Sequence, residues 1–217
     1  MASESGPKFV TDGLVLCLDA ANPRSYISGA TVWNDLTYNI SGGTLTNGPT
    51  FSSANGGSIV FDGVNDYVTL SSSRTTTTTF TYSCWLYPIS SGVDYQTLFS
   101  QDANFGIWYR GISKKITFFW LSGPYSGNHD STQTLTENSW NNIVVINNGG
   151  NISFYINSIL DDSTYIGGPS FNALIIGNDS INEIYTGRMS NIQLYNRALS
   201  AQEVLQNYNA TKSRFGL

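Results

Sequence analysis

The 217-residue sequence predicts an all-β fold, a sandwich or barrel of short strands, with one short C-terminal helix. Three observations carry this. Apolar and polar residues alternate with period two over many short runs, as in strands with one buried face. Gly, Asn, Asp and Pro punctuate those runs at short intervals, the rhythm of sandwiches and barrels. Hydrophobic residues make up 40% of the chain and aromatic residues 13%, enough to fill a sizeable core.

The elements follow in order. Residues 1–10 form a polar N-terminal arm, and residues 11–217 one domain, because no internal repeat or linker divides them. Strands are expected at residues 14–19, 43–47, 58–61 and 67–70. The last two stand in SIVFDGVNDYVTL and read as the arms of a hairpin, with Ile59 and Phe61 on one face and Asp62-Gly63 opening the turn. The polar run SSSRTTTTT, residues 71–79, reads as a surface loop. Alternation is clearest in FTYSCWLY: Phe80, Tyr82, Cys84 and Leu86 share one face, and Thr81, Ser83, Trp85 and Tyr87 the other. Further strands are expected at residues 96–100, 105–110, 115–121, 141–147, 151–157, 174–177 and 188–195. Tight hairpins are expected at Lys114-Lys115 and at Asn147-Asn-Gly-Gly150, whereas GPYSGNHDS reads as a loop. The helix comes last. Ser200 and Glu203 form a capping box, Leu199 and Val204 a hydrophobic staple, and Val204, Leu205 and Tyr208 an apolar stripe. Strand content should exceed about 40%, against ~20–25% in ordinary globular chains.

Composition excludes several classes. Charged residues are only 12% of the chain, about half the usual ~25%, so Ser, Thr, Asn and Gly carry the polar surface. That suits a β-rich extracellular or particle-surface protein. Ten basic against fifteen acidic residues give a net charge of −5, and no basic stripe is present to displace counterions from nucleic-acid phosphates. No stretch approaches the ~20 apolar residues of a membrane span, and the N-terminus lacks an apolar signal region. The sequons at Asn39, Asn151, Asn178 and Asn209 carry little weight without one. Cys17 and Cys84 lie in apolar runs; parity allows a disulfide, but buried free thiols are the preferred reading.

The blocks GLVLCLDAANPRSY, WNDLT, GTLTNGPTF, NGGSIVFDGVNDYV, FTYSCWLYP, SWNNIVVINN, ISFYIN and GRMSNIQLYNRALSAQEVLQNYNATKSRFGL occur in that order. Together they resemble the laminin-G-like, concanavalin A-like jelly-roll domain, in the variant common in tailed phages, cyanophages especially. The resemblance spans about residues 11–217. It implies two curved antiparallel sheets with adjacent first and last strands, and a virion-associated protein.

Catalysis is not expected. His129 is the single histidine, no G-x-S-x-G elbow appears, and both cysteines are strand-embedded, away from any zinc-like ligand set. Related glucanases resemble one another in an E-x-D-x-E strand, which sets two carboxyls about 5–5.5 Å apart. The four glutamates here, Glu4, Glu137, Glu183 and Glu203, build no such strand. The nearest approach is Asp179 with Glu183, whose spacing does not suit it. No cofactor is required, though Ca2+ is a candidate. Relatives hold a structural calcium through acidic, Asn-rich loops, and Asp35-Leu-Thr-Tyr-Asn39 stands where they usually read D-L-S-G-N, with Tyr38 replacing the glycine. Asp62 and Asp66 are the further candidate ligands; hydrogen-bonded turns without metal explain the same residues. For glycan binding the candidates are Trp108, Arg110, Tyr125 and His129, although a strand Trp also fits a core position. The expected role is a non-enzymatic virion structural protein, a capsid decoration or cement protein on the virion surface that forms homo-oligomers at symmetry axes. The alternative is a carbohydrate-binding tail or fibre adhesin contacting host-surface glycans. The partners are then other virion proteins, reached through the N-terminal arm or the C-terminal RFGL.

Overall fold

Sixteen strands stand among the residues that the structure, a computed structural model, describes: 8–37, 42–75, 78–102, 105–122, 125–167, 172–179, 181 and 183–217. The first eight are β1 (Leu14–Leu18), β2 (Val32–Trp33), β3 (Gly43–Thr46), β4 (Thr50–Ser52), β5 (Ser58–Asp62), β6 (Tyr67–Thr75), β7 (Thr79–Pro88) and β8 (Tyr95–Asp102). Then come β9 (Phe105–Arg110), β10 (Lys115–Ser122), β11 (Tyr125–Asp130), β12 (Asn141–Asn148), β13 (Asn151–Ile156), β14 (Ile159–Tyr165), β15 (Asn172–Ile176) and β16 (Thr186–Tyr195). Helix α1 (Ala201–Thr211) closes the fold. The first sheet runs β14-β13-β12-β7-β16-β5-β4, with β1 added beside β16; the second runs β11-β10-β9-β8-β15-β6-β3-β2. The recorded strand pairs are antiparallel, and the first and last strands are neighbours, Leu18 lying opposite Ile192. This is the jelly-roll sandwich that the sequence predicts, with strands over nearly half the chain.

Period two sorts the side chains. Phe80, Tyr82, Cys84 and Leu86 of β7 are wholly buried and face Leu98, Phe99, Ile107 and Phe118 of the second sheet. Tyr82 stacks on Phe99 with ring centroids 4.7 Å apart. Each such side chain contributes roughly 1.5–3 kcal/mol through the area it removes from water. Cys17 and Cys84 are free, buried thiols, Cys84 in this interior, and burial pushes both up to about 12, out of the reactive range.

Trp85 faces the other way and is buried all the same. The C-terminus lies over it: Phe215 stacks on the indole at 4.1 Å, Tyr208 at 5.6 Å, and Trp140 packs beside Phe215. Trp85 Nε1 donates to Thr211 Oγ1 at 2.9 Å. Helix α1 is too short to persist alone. Its capping box is formed as expected, Ser200 N donating to Glu203 Oε2 and Glu203 N to Ser200 Oγ. Arg197 grips the same carboxylate and holds Glu203 down at about 2. Leu199 and Val204 are buried against Val144, Ile146 and Tyr195, whereas Leu205 stays exposed. The RFGL tail is therefore part of the folded body. Phe215 is only 6% exposed, and Arg214 makes a two-pronged pair with Asp19 at 2.9 and 3.0 Å.

Three sequence expectations change. The segments 58–61 and 67–70 are not a hairpin, because β5 belongs to the first sheet and β6 to the second. The connection is a corner between sheets, held by Asp62 Oδ1 accepting from Val64 N and by Asp66 Oδ2 accepting from Asp62 N. Both arrangements send Ile59, Phe61, Val68 and Leu70 to the core, and the deciding partners, β16 and β15, lie far along the chain. The polar run 71–79 is largely strand, since β6 extends to Thr75 and β7 starts at Thr79. GPYSGNHDS contributes edge strand β11, built by its ladder to β10 and not by its own propensity. Residues 1–7 of the expected arm lie outside the described residues, and Val10 is pinned by its N–H to Asn207 Oδ1 at 2.8 Å.

Phe215→Ala should cost about 3–5 kcal/mol in urea denaturation by opening a cavity over Trp85. Leu217→Ala, at a position 51% exposed, should stay within about 0.5 kcal/mol.

Candidate functional site

Strand register builds a patch on the outer face of the second sheet. Ile107 and Tyr109 face the core, so Trp108 between them points outward, as do Thr117 and Phe119 around core-facing Phe118. Trp108 stands between Thr97 of β8 and Thr117 of β10. One row along, Tyr95 lies opposite Arg110; on the other side, Phe119 lies opposite Gly106. Gly106 is required here, because a Cβ would stand 3.0 Å from the Trp108 ring and 2.6 Å from the Phe99 carbonyl. With no side chain in the way, Trp108 and Phe119 meet at right angles, 89° between planes and 5.4 Å between centroids.

The connection from β15 to β16 brings polar groups to this corner. It is tied to β8 at both ends, Gly177 N donating to the Leu98 carbonyl and Thr97 N to the Glu183 carbonyl. Between the ties, Asp179 Oδ1 accepts from Ile181 N and Glu183 N, each at 3.0 Å. The result is a pocket of about 150 Å3 lined by Tyr95, Trp108, Phe119, Ile181 and Glu183.

Its electrostatics are unbalanced. Asp179 is 4% exposed, and its Oδ2 is buried without a hydrogen-bond donor among the described residues. Burial, and then the neighbouring Asp179 carboxylate, push Glu183 up to about 7. The Asp179 carboxylate beside it disfavours the charged form of Glu183, which therefore keeps its proton up to about 7. The Trp108 indole N–H faces Glu183 without closing a hydrogen bond of normal geometry. Arg110 is already engaged: it donates through Nε and a terminal nitrogen to Asp94 Oδ2, lies 3.9 Å from Asp130, and stacks over the Tyr95 ring at 4.0 Å.

Of the four expected glycan residues, the structure brings Trp108 and Arg110 together. His129 faces the opposite way, stacked on Phe154 at 5.3 Å with Nε2 2.9 Å from Asp162 of β14, so that it bridges the edges of the two sheets. Tyr125 begins β11, and its side chain lies outside the described residues. Sequence reasoning did not assign Tyr95, Phe119, Asp179 or Glu183 to the site; the alternation in KITFFWL put Phe119 on a face, but only the register put that face beside Trp108.

Among the described residues, the expected calcium ligands Asp35, Asp62 and Asp66 do not meet at one ion. Asp35 Oδ1 accepts from Cys17 N and Thr37 N, and Oδ2 from Thr37 Oγ1, so its oxygens already hold their own loop. Asn39 lies outside the described residues. Cys17 stands opposite Gln193 and Asp62 opposite Thr186; at ~3.3 Å per residue the seven intervening steps along β16 separate the two loops by about 23 Å. The Asp62–Asp66 corner remains a separate acidic turn, where burial, reinforced by the Asp62 charge, pushes the Asp66 carboxyl upward.

Residues 62–205, about two thirds of the chain, match the family described as the concanavalin A-like lectin/glucanases superfamily, which includes this laminin-G-like type of domain. The chain belongs to that family. No curated protein matches it in sequence. Among solved structures it is similar to domain 4 of AbnA, a GH43 extracellular arabinanase from Geobacillus stearothermophilus in complex with arabinotriose (TM-score 0.72, 17% identity, 91% of this chain and 98% of that one). It is also similar to the binding domain of Paraclostridial Mosquitocidal Protein 1 (TM-score 0.69, 18% identity, 91% and 52%). A third is Trypanosoma rangeli sialidase in complex with the inhibitor DANA (TM-score 0.71, 13% identity, 99% and 35%). The chain thus spans about half and about a third of the last two. At these identities the likeness is one of fold. Among the described residues no helix is long and apolar enough to cross a membrane.

Because Glu183 holds its proton more tightly in the folded chain than its ordinary 4.5, it favours the fold below about pH 4.5, and that contribution is lost as pH rises through about 7. Thermal melts across this range should show a fall in Tm that Glu183→Gln removes.

Proposed function

We propose that this chain is a non-enzymatic carbohydrate-binding domain whose ligand enters the pocket between Trp108, Phe119 and Glu183. The carrying observation is the right-angled aromatic corner with a carboxyl beside it, since ring faces take the C–H face of a sugar while a few polar groups fix its hydroxyls. The domain solved with arabinotriose supports sugar chemistry as the use of such a fold. Hydrolysis needs an acid and a nucleophile flanking the scissile bond. Asp179 and Glu183 instead sit together on one loop, where Asp179 Oδ1 accepts from Glu183 N. The reading needs no cofactor.

Of the two roles expected on a virion, the pocket favours the adhesin over the capsid decoration, because a concave aromatic corner with a carboxyl beside it suits a small ligand better than a lattice contact. The phage setting and virion-surface location rest on the resemblance of the sequence blocks and on the Ser/Thr/Asn-rich, weakly charged exterior. Electron microscopy of an intact particle checks this part: density at a tail or fibre tip agrees with the adhesin, and density on capsomers overturns it.

Glycan-array screening followed by titration tests the binding itself. Phe119→Ala and Tyr95→Ala should each weaken the best oligosaccharide about tenfold, the worth of one lost aromatic contact, with no reducing ends released by the parent chain. Failure to bind any glycan, or hydrolysis abolished by Glu183→Gln, would overturn the proposal.

A further inference from the structure

We infer that the pocket selects sugars carrying a free amine, seating the ammonium against Glu183, with Asp179 behind it, and the ring against Trp108 and Phe119. This rests on the carbohydrate-binding reading and adds the ligand's chemistry.

The inference starts from buried groups with nothing to bond. Asp179 Oδ2 is an acceptor without a donor among the described residues, in a side chain 4% exposed. Its other oxygen is consumed by the loop N–H groups of Ile181 and Glu183. Independently, Trp108 Nε1 is a donor without an acceptor of normal geometry, in a side chain 1% exposed on the pocket floor. Native structures rarely leave such groups unmet, and a ligand that pairs both gains the desolvation each has already suffered. The two demands differ in kind. The carboxyls need a donor, best a charged one; the indole needs an oxygen. A ring with an amine beside a hydroxyl meets both.

Charge decides against the opposite class. The charged group that lines the pocket is Glu183; Asp179 and Arg110 act on it from beside the pocket, with Asp94 and Asp130 around the arginine. Arg110 is neutralised by Asp94 through two nitrogens and capped by Tyr95. An acidic sugar would therefore meet two carboxyls and no free cation, whereas an ammonium meets carboxylates and two aromatic faces, both attractive to it.

Binding is an exchange of charge. The incoming R–NH3+ keeps its own three protons, and the proton held by Glu183 leaves to solvent, so that its carboxylate pairs with the ammonium. Below about pH 7, where Glu183 holds that proton, close to one proton is released for each ligand bound. Acidification below the range in which Glu183 titrates should then weaken binding about tenfold per pH unit.

The test is calorimetry on the full chain at about pH 6 and about pH 8, in two buffers of different ionisation heat. The probes are a glucosamine trimer, its fully N-acetylated counterpart, a sialylated trisaccharide, choline and a trimethyl-lysine peptide. We expect the glucosamine trimer to bind about tenfold or more tighter than the N-acetylated one, with close to one proton released at about pH 6, little at about pH 8, and little binding of the sialylated sugar. Glu183→Gln should abolish both the preference and the proton release while the melting transition persists. Should that variant not fold, Asp179→Asn and the parent comparison of amine against N-acetyl trimer decide the same question. Equal or tighter binding of the N-acetylated trimer without proton release would overturn the inference and leave the carbohydrate reading intact. Tighter binding of choline or the peptide than of the trimer would overturn the assignment of the ammonium to a sugar. Absence of binding to every sugar by the folded chain would sink both readings.

Discussion

The packing of Phe215 and Tyr208 onto Trp85 is the contact on which the rest of the fold depends. A two-sheet sandwich buries its inner faces by construction, but each outer face needs a separate solution. Here β7 and β16 lie at the centre of the first sheet with aromatic and polar residues pointing outward, and the chain's own last residues cover them. The same contact ties the ends together. Val10 N–H reaches Asn207 on the helix, and Tyr195 Oη donates to the Val10 carbonyl, so docking the C-terminus also fixes the start of the domain.

Covering one outer face leaves the other to shorter segments. Two connections pass between the sheets close together, the Asp62–Asp66 corner and the β15–β16 segment. They touch at Gly177, where a Cβ would sit 2.6 Å from the Phe61 ring, and at Gly63, where it would meet the Thr186 hydroxyl. Both crossings rely on aspartates that fold their own backbone, Asp62 and Asp66 in one and Asp179 in the other. A segment tied by Asp179 at such a place cannot spread over the whole face. It covers part of Trp108 and leaves a gap beside it, and that gap is the pocket.

This division explains what could be read in advance. FTYSCWLY alternates so strongly that its core face was legible, and LSAQEVL announced its own cap and staple. Trp108 and Arg110 share a face by parity alone, so half of the expected glycan set could be found from period two. His129 carried no such signal, because β11 is polar throughout and takes its direction from β10, which turns the ring inward onto Phe154. The hairpin assigned to residues 58–70 failed for a related reason: local alternation says which residues are buried and not which sheet buries them. Asp179 and Glu183 were visible as a pair, yet their spacing fits no strand motif, and only an Asx-type loop makes them neighbours.

The two outward-facing tryptophans offer the clearest contrast. Trp85 and Trp108 both stand in strands flanked on either side within their sheets, both point away from the sandwich interior, and both are almost wholly buried. Trp85 shows how this fold treats such a residue as structure: its N–H reaches Thr211, and Tyr208 and Phe215 stack over its ring. Trp108 receives neither treatment. Its N–H faces Glu183 without closing a bond of normal geometry among the described residues, Phe119 meets it at a right angle, and burial pushes that carboxyl up to about 7. A core left unfinished in this way is a net cost to the folded chain, since unmet polar groups and a raised carboxyl both disfavour it. The proposed ligand would offset that cost by supplying the missing oxygen, the missing donor and the missing ring contact together.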